Sequence, residues 1–192
     1  MKKAIFGFGG HAREVAAQIG GDFTFFVDDI FCSSGSRPVS EFDPNEFEIM
    51  VAIADCNHRE SIVNNLPAET KYFSFIHPTV LIMDNNIEIG EGSFIGAYSI
   101  LTTKISIGKH SILNRGNHIG HDTLAGDFLS MMPGAIISGN VKTGRRVYLG
   151  TNSSIIEKIS ICDDVILGAN SVTVNNIEQE GTYVGVPSKK IK

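Results

Sequence analysis

Three things are scarce in this sequence: cysteine, an excess of positive charge, and long apolar runs. The 192 residues include only three scattered cysteines, so we expect neither a disulfide framework nor a zinc knuckle. The formal net charge is −5, which argues against nucleic acid or an anionic membrane surface as the main partner. No apolar run reaches the length of a membrane span. These absences predict a cytoplasmic protein that does not insert into membranes.

The first residues carry two lysines and a short apolar stretch, as a secretory signal peptide would. Glycines follow at once, and the charged Arg13 and Glu14 come next, so we expect no signal peptide. Hydrophobic residues make up 42% and charged residues 19%, which is ordinary for a globular protein. A chain of this length has room for one large domain or two small ones.

What the sequence does contain is a repeat of six residues. From Ile89 to Thr173 every sixth residue falls in one register, and twelve of these fifteen positions are Ile, Leu or Met. Glycine follows directly at eight of them. A period of six fits neither an amphipathic helix nor a simple alternating strand. It fits a coil with three flat faces of one hexad each, with aliphatic side chains inside and glycine where a corner needs positive φ.

Three hexads form one coil, so residues 89–178 are predicted to form about five coils with a continuous core. Ile76 and Ile82 lie one residue out of this register. We therefore predict an earlier partial coil and a one-residue insertion near Asn85 and Asn86. The coils and a carboxyl-terminal tail are predicted to occupy residues 76–192.

Residues 1–75 alternate between predicted strands and helices, which indicates a parallel, doubly wound sheet, that is, a half-Rossmann-like α/β domain. The predicted strands are Lys3–Phe8, Phe23–Val27, Ile49–Ile53 and Lys71–Ile76, and the predicted helices are Arg13–Ile19 and Asn57–Leu66.

A glycine-rich turn, Gly7–Ala12, follows the first predicted strand and matches the G-x-G-x-x-A pattern. The acids Asp28 and Asp29 stand at the end of the second strand, about 20 residues on, as in dinucleotide-binding folds. The glycines would let backbone amides approach a phosphate, and a carboxylate could hold a ribose hydroxyl. Residues 1–75 supply little more than one mononucleotide half, which favours a single nucleotide carrying a sugar. A tight turn without any ligand is the alternative.

Taken from end to end, the chain resembles the NeuD-type sugar acetyltransferases, a family of hexapeptide-repeat transferases. It is most similar to those that N-acetylate UDP-4-amino sugars on the route to bacillosamine. The motifs that carry the resemblance are Gly7–His11, Val27-Asp28-Asp29, Val51-Ala52-Ile53, Arg59, His77-Pro78, Ile112-Leu113-Asn114, His121-Asp122, Gly139–Lys142 and Tyr183–Pro187. The resemblance implies a left-handed parallel β-helix, a homotrimer, and acetyl-CoA bound between neighbouring helices without a metal. The implied reaction is N-acetylation of the 4-amino group of a nucleotide-linked amino-dideoxy sugar.

The resemblance also implies roles for particular residues. His121 would be the general base, Asp122 its acidic partner where the family usually has Glu, and Asn114 a polar neighbour of the acceptor amine. The Gly139 amide would face the thioester carbonyl. The nucleotide-sugar site would use Gly9, Gly10, His11, Asp28, Asp29 and Arg59. The acetyl-CoA site would use Ser130, Gly139, Gly150, Thr151, Gly168, Ala169 and Pro187.

One position departs from the bacillosamine-type pattern, because Ser130 stands where those enzymes carry a second histidine. Serine can donate a hydrogen bond to a carbonyl but does not titrate near neutral pH. Of the remaining histidines, His118 is expected in the same groove or in subunit packing, and His58 and His110 in solvent. His77 is expected at the junction of the two domains.

The expected chemistry is direct attack of a sugar amine on the thioester. A histidine accepts the proton, and a backbone N–H stabilises the oxyanion. O-acetylation of a sialic acid is the main alternative within the enzyme class, and a non-catalytic nucleotide-sugar sensor is the alternative outside it. Trimeric zinc carbonic anhydrases also have this type of coil, but the spacing of His118 and His121 does not fit that site.

Overall fold

The computed structural model describes all residues, 1–192, and begins with a five-stranded parallel sheet, here called the front sheet. Its strands are β1 (Lys2–Phe6), β2 (Thr24–Val27), β3 (Arg37–Pro38), β4 (Phe47–Val51) and β5 (Lys71–Tyr72), in the spatial order β3-β2-β1-β4-β5. Two helices, α1 (Gly10–Ile19) and α2 (Cys56–Asn65), and two short 3₁₀ turns, Asp29–Phe31 and Val39–Glu41, connect them. Strand β3 was not predicted from the sequence, because two residues are too few to show a periodicity.

The two helices cover opposite faces of the front sheet. Ile62 and Leu66 of α2 pack with the phenylalanines of one face. Ala12 and Val15 of α1 pack on the other face, in a cluster that also contains Phe94 and Ile112 of the coils. The α1 side of the sheet therefore packs on the coils through apolar side chains, whereas α2 contacts the coils through polar groups such as Arg59.

The rest of the chain winds into a three-sided, left-handed β-helix, as predicted. Its first face has the strands Phe75–Ile76, Phe94–Ile95, Ile112–Leu113, Ser130–Met131, Tyr148–Leu149 and Val165–Leu167, followed by Gly181–Val184 and the antiparallel Lys189–Lys190. Its second face has Leu81–Ile82, Ile100–Leu101, His118–Ile119, Ile136–Ile137, Ser154–Ile155 and Val172–Thr173. Its third face has Ile87–Ile89, Ile105–Ile107, Leu124–Ala125, Lys142–Thr143 and Ser160–Ile161. We number each corner after the face that precedes it.

The aliphatic residue of each hexad points into the β-helix and stacks in register on its equivalents. Along the first face Leu113 pairs with Ile95 on one side and with Met131 on the other, and all three are fully buried. Twenty buried apolar residues form this core. Each large side chain removed from water contributes on the order of 2 kcal/mol before entropy is counted.

The hexad glycines have a different role from the one predicted. None of the eight has a positive φ; positive φ falls two residues later, for example at Asp122, Arg146 and Asn152. The glycines are needed because successive coils approach closely. A Cβ on Gly90, for instance, would lie 2.4 Å from the backbone nitrogen of Lys109 in the next coil.

The pairing of strands in successive coils confirms the predicted one-residue insertion near Asn85 and Asn86. Ile82 pairs with Leu101, whereas Ile89 pairs with Ile107, so the turn between them holds one residue more than the regular repeat. The predicted strand Lys71–Ile76 is divided in two: Lys71–Tyr72 completes the front sheet, and Phe75–Ile76 opens the first face. None of the helices has both the length and the apolar character needed to cross a membrane.

Candidate functional site

The His121–Asp122 pair stands at the second corner of the β-helix. Both side chains reach solvent, and His121 is 57% exposed. The Nδ1 atom of His121 lies 2.8 Å from Oδ2 of Asp122. A carboxylate only accepts hydrogen bonds, so Nδ1 carries the proton and donates it to Asp122. This tautomer leaves the lone pair on Nε2, where a general base needs it.

Gly139 lies one coil further on at the same corner, directly against the His121 ring. A Cβ at Gly139 would be 2.5 Å from Nε2, so only glycine leaves room for the imidazole in this position. The Gly139 N–H has no hydrogen-bond acceptor within the protein, whereas its carbonyl accepts from Lys158. The second corner therefore combines a lone pair on the exposed His121 ring with an unpaired N–H of Gly139, which is buried against that ring.

Asn114 and most of the predicted acetyl-CoA residues line a different corner. Asn114, Gly150, Thr151, Gly168 and Ala169 all follow strands of the first face, so they form a column along the first corner. Asn114 is buried, and its Oδ1 accepts the N–H of Arg115 at 2.7 Å. The second face separates this column from His121. One chain alone does not bring the two sets together.

A cleft opens at the carboxyl edge of the front sheet, and it has two chambers. The larger, of about 350 Å³, is lined by the glycine turn (Gly7–Gly9), Asp28, Phe31, Ser33 and His58. Cβ atoms built on Gly9 or Gly10 would meet nothing within 4 Å, so the backbone of the turn is open to a ligand. Gly9 is also the N-cap of α1, which directs the positive end of a helix dipole toward the chamber.

The smaller chamber has a volume of about 110 Å³ and adjoins the larger, because Phe6, Asp28 and His58 line both. The carboxylate of Asp28 and Nε2 of His58 are 3.8 Å apart. His58, expected in solvent, thus lies in the cleft. Its position three residues before Ser61 on a predicted helix is the signal that could have found it, since residues so spaced share a helix face.

Arg59 was predicted in the nucleotide-sugar site, and the structure corrects this. The side chain is 1% exposed, and its five N–H donors reach the carbonyls of Ile53, Ala54, His110, Phe128 and Leu129. No donor remains for a ligand. Burial is the main cause that lowers the pKa of this guanidinium. Arg59 therefore joins the front sheet to the β-helix, a role invisible in the sequence because its partners are backbone atoms far along the chain.

Asp29 and His11 also lie outside the lining of the cleft. The Asp29 carboxylate accepts the N–H of Ser40 at 3.1 Å and so holds the loop after β2. The Nε2 atom of His11 is buried without a partner. Burial, and then the charge of Arg59, lower the pKa of His11, which favours the neutral ring. Of the predicted nucleotide-sugar residues, Gly9 and Asp28 line the cleft and Gly10 lies beside it.

Ser130 does not reach the second corner. It is fully buried on the first face, and its hydroxyl donates to the carbonyl of Ala54 at 2.7 Å. The serine thus fastens the β4–α2 loop to the β-helix and leaves no donor for the acetyl-CoA site predicted from the sequence. Pro187 is exposed near the carboxyl end. Nothing in the single chain places Pro187 beside His121.

Two more histidines complete the comparison with the sequence. His110, expected in solvent, is buried at the third corner between Tyr72 and Phe128, with ring centroids 4.6 Å and 5.2 Å away. Burial lowers its pKa to about 4. His77 lies at the start of the β-helix, where its Nδ1 is 2.9 Å from the Thr79 hydroxyl.

Another cavity, of about 310 Å³, lies between the β4–α2 loop and the first face. Asp55, Cys56 and Asn57 line one side, and Arg146, Tyr148 and Asp164 line the other. Arg146 bonds both oxygens of Asp164, at 2.7 and 2.6 Å, and an oxygen of Glu60 at 3.0 Å. These ion pairs add to the contacts by which α2 is held on the β-helix.

Several known proteins are similar to this chain in sequence or in fold. No protein-family model matches the chain. It is 25% identical over 169 residues to GDP-perosamine N-acetyltransferase of Escherichia coli, which covers 79% of this chain and 76% of that protein. In structure it resembles a histidine-to-asparagine variant of perosamine N-acetyltransferase from Caulobacter crescentus in complex with CoA and GDP-perosamine. The TM-score is 0.87 at 24% identity, over 100% of this chain and 97% of the other.

The acetyltransferase domain of PglB from Neisseria gonorrhoeae, in complex with acetyl coenzyme A, is also similar. Its TM-score is 0.72 at 26% identity, over 99% of this chain and 98% of that chain. The predicted resemblance to the NeuD-type sugar acetyltransferases and the predicted fold are thereby confirmed.

Proposed function

We propose that this chain, a relative of sugar acetyltransferases with their fold, transfers an acetyl group from acetyl-CoA to the 4-amino group of a nucleotide-linked amino-dideoxy sugar. The relatives support the coarse assignment, since they are acetyltransferases, one with CoA and a nucleotide sugar and another with acetyl-CoA. The observation that carries the mechanism is the second corner. There a properly oriented histidine lone pair and a free backbone N–H lie against each other.

His121 acts as the general base in this proposal. The amine of the sugar attacks the thioester carbon and loses a proton to Nε2, and the Asp122 carboxylate stabilises the imidazolium that forms. The carbonyl oxygen becomes an oxyanion, which the N–H of Gly139 stabilises. The tetrahedral intermediate then collapses, the C–S bond breaks, and the thiolate of CoA leaves with a proton. Holding amine and thioester together at the corner supplies much of the remaining acceleration.

The active unit is a homotrimer in this proposal. Asn114 and the first-corner column belong to one subunit, and His121 with Gly139 to the next, so acetyl-CoA lies in the groove between two β-helices. Four exposed apolar side chains support this arrangement. Leu81 and Ile136 lie on the second face, Tyr98 at the first corner and Leu124 on the third face. Exposed apolar side chains grouped in this way are typical of a surface that packs against another subunit. Light scattering at micromolar protein concentration tests it, and a monomer would contradict it.

The nucleotide of the acceptor sugar occupies the front cleft in this proposal. The glycine turn faces the phosphates, and Asp28 receives a ribose hydroxyl. This cleft favours a nucleotide-linked amine over a free sialic acid as the acceptor, because a free sugar would leave it empty.

The decisive experiment measures thiol release from acetyl-CoA with nucleotide-linked 4-amino sugars and with free sialic acid. We expect turnover with a nucleotide-linked amino sugar, and we expect His121→Ala to lower it by about 10²-fold or more. Near-normal turnover of His121→Ala would remove the base from the mechanism. Turnover with sialic acid alone would change the assignment to O-acetylation. If no acceptor gives thiol release although nucleotide sugars still bind, the result would favour a non-catalytic nucleotide-sugar sensor.

A further inference from the structure

The two chambers of the front cleft are connected in an order that matches the parts of a nucleotide. The glycine turn lies in the larger chamber only, Asp28 borders both chambers, and Ser61 and Asn65 border the smaller chamber only. A nucleotide has its phosphates, ribose and base in the same succession. If the phosphates lie at the turn and the ribose at Asp28, the next group along the ligand enters the smaller chamber.

The smaller chamber has the chemistry of a base pocket. Val39, Ile62 and Leu66 supply apolar walls, which suit the faces of a heterocyclic ring. Ser61 and Asn65 supply polar groups, and Nδ2 of Asn65 lies 3.4 Å from the Ser61 hydroxyl. A carboxamide offers both a donor and an acceptor, so it can pair with the hydrogen-bonding edge of a base. The Oδ1 atom of Asn65 accepts no hydrogen bond within the protein.

One face of α2 presents these groups together. His58, Ser61 and Asn65 are spaced by three and four residues, which places them in one row along the helix. The packing of Ile62 and Leu66 on the front sheet sets the rotation of the helix, so the row faces the cleft. Asn64, the adjacent residue of the same type, is exposed and lines neither chamber.

We infer that the smaller chamber holds the nucleobase of the substrate and that Ser61 and Asn65 determine which base is accepted. This inference rests on the proposed function, because it presupposes that a nucleotide occupies the front cleft. His58, which lines both chambers beside Asp28, contacts the ligand where the ribose meets the base. Base selectivity is thus encoded on α2, apart from the glycine turn and from the acetyl-transfer corner.

Calorimetric titration of the full chain with UDP, dTDP, CDP, GDP, ADP and inorganic pyrophosphate tests the inference without any turnover. We expect the wild-type protein to prefer one base by about tenfold or more, as sites that hydrogen-bond a ligand do. Asn65→Ala should reduce this preference to about threefold or less and leave pyrophosphate binding unchanged. Asn64→Ala is the matched control and should behave as wild type.

In Asn65→Ala a water could take the place of the Asn65 carboxamide and preserve the base preference, so a second variant is needed. Ser61→Leu places a larger apolar side chain in the chamber and should weaken every nucleoside diphosphate about tenfold while sparing pyrophosphate. The inference would be overturned by wild-type base preference in Asn65→Ala together with wild-type affinities in Ser61→Leu, or by equal affinity of the wild type for all bases. Either result would leave the proposed function standing. Binding of no nucleoside diphosphate at all would instead remove the nucleotide-binding part of the proposed function. Unfolding temperatures close to wild type show that the variants are folded.

Discussion

Two corners of the β-helix carry histidines in very different surroundings. The second corner is open, and there His121 is exposed and bonded to Asp122. The third corner is covered by the front sheet, and there His110 is buried between Tyr72 and Phe128 with its Nδ1 unpartnered. His110 and Asp122 occupy the same hexad position and have φ of 53° and 57°. The repeat sets the backbone of a corner, and what covers the corner sets the chemistry of its side chains.

The largest expected effect is the loss of stability when Arg59, which lies at the covered third corner, is replaced. Arg59→Met removes a donor from five carbonyls. Ala54 still accepts from Ser130 and Leu129 from Ile112, so three buried carbonyls, those of Ile53, His110 and Phe128, are left unsatisfied. Each costs about 1 kcal/mol or more, so we expect a loss of about 3 kcal/mol or more in the free energy of unfolding. Urea denaturation measures it.

Arg13→Met serves as the comparison, since Arg13 is exposed and bonds a single carbonyl, that of Phe8. Its effect should be about 1 kcal/mol or less. Equal effects of the two variants would show that Arg59 does not hold the covered corner together.

Acid should weaken the covered corner because His110 is buried in its neutral form. Its folded pKa of about 4 lies below the unfolded value of 6.5, so between these pH values only the unfolded chain binds the proton. Stability therefore falls as pH drops from 6.5 to 4, by about 3 kcal/mol, and this contribution is constant below pH 4. Urea denaturation at pH 7 and pH 4 measures the difference.

His110→Asn should remove this part of the pH dependence, since asparagine tolerates positive φ and does not titrate. The variant starts from a lower stability at pH 7 because the packing against Phe128 is lost. His118→Asn, at an exposed histidine, should keep the wild-type pH dependence. A pH dependence unchanged by His110→Asn would assign the acid sensitivity to other groups.

The open corner should lose activity rather than stability. Gly139→Ala places a Cβ where the His121 ring lies, so the ring moves and Nε2 leaves its position. We expect turnover to fall by roughly 10²-fold, as for misplaced catalytic groups, with unfolding free energy within about 1 kcal/mol of wild type. Ser138→Ala, at the preceding residue, should retain turnover. Full activity of Gly139→Ala would show that the ring position is not important.

The smallest effect is expected from Asp122→Asn. Asparagine keeps the positive φ of the corner, and an exposed ion pair contributes little to stability, so the unfolding temperature should not change. Turnover should fall by about tenfold, because the imidazolium loses its carboxylate. In a His121→Ala background the same substitution should have no further effect, since the two groups act as one unit. An additive loss would assign Asp122 a separate role.

Much of the β-helix could be predicted from the sequence, since its contacts repeat. The hexad aliphatics and the insertion near Asn85 follow from a register that each coil passes to the next, whereas the role proposed for His121 and Asp122 came from the resemblance to a family. The prediction that the hexad glycines supply positive φ was wrong. They are needed because stacked coils approach closely, and either requirement would produce the same glycine pattern in the sequence.

The contacts between the front sheet and the β-helix could not be predicted in the same way. Arg59 was assigned to a ligand, Ser130 to acetyl-CoA and His110 to solvent, yet all three are buried where the two parts meet. Their partners are main-chain carbonyls and rings far along the chain, which no local pattern records.

The sequence by itself determined the coil, the strand–helix alternation before it, and the pairing of His121 with Asp122, because each depends on neighbours in the chain or on a strict repeat. Only the tertiary structure decided which corner is covered, which polar side chains are used up in joining the two parts, and that α2 lines a second chamber of the cleft. Burial decides these matters, because it takes a side chain away from ligands and solvent, and burial depends on which surfaces meet after the chain has folded.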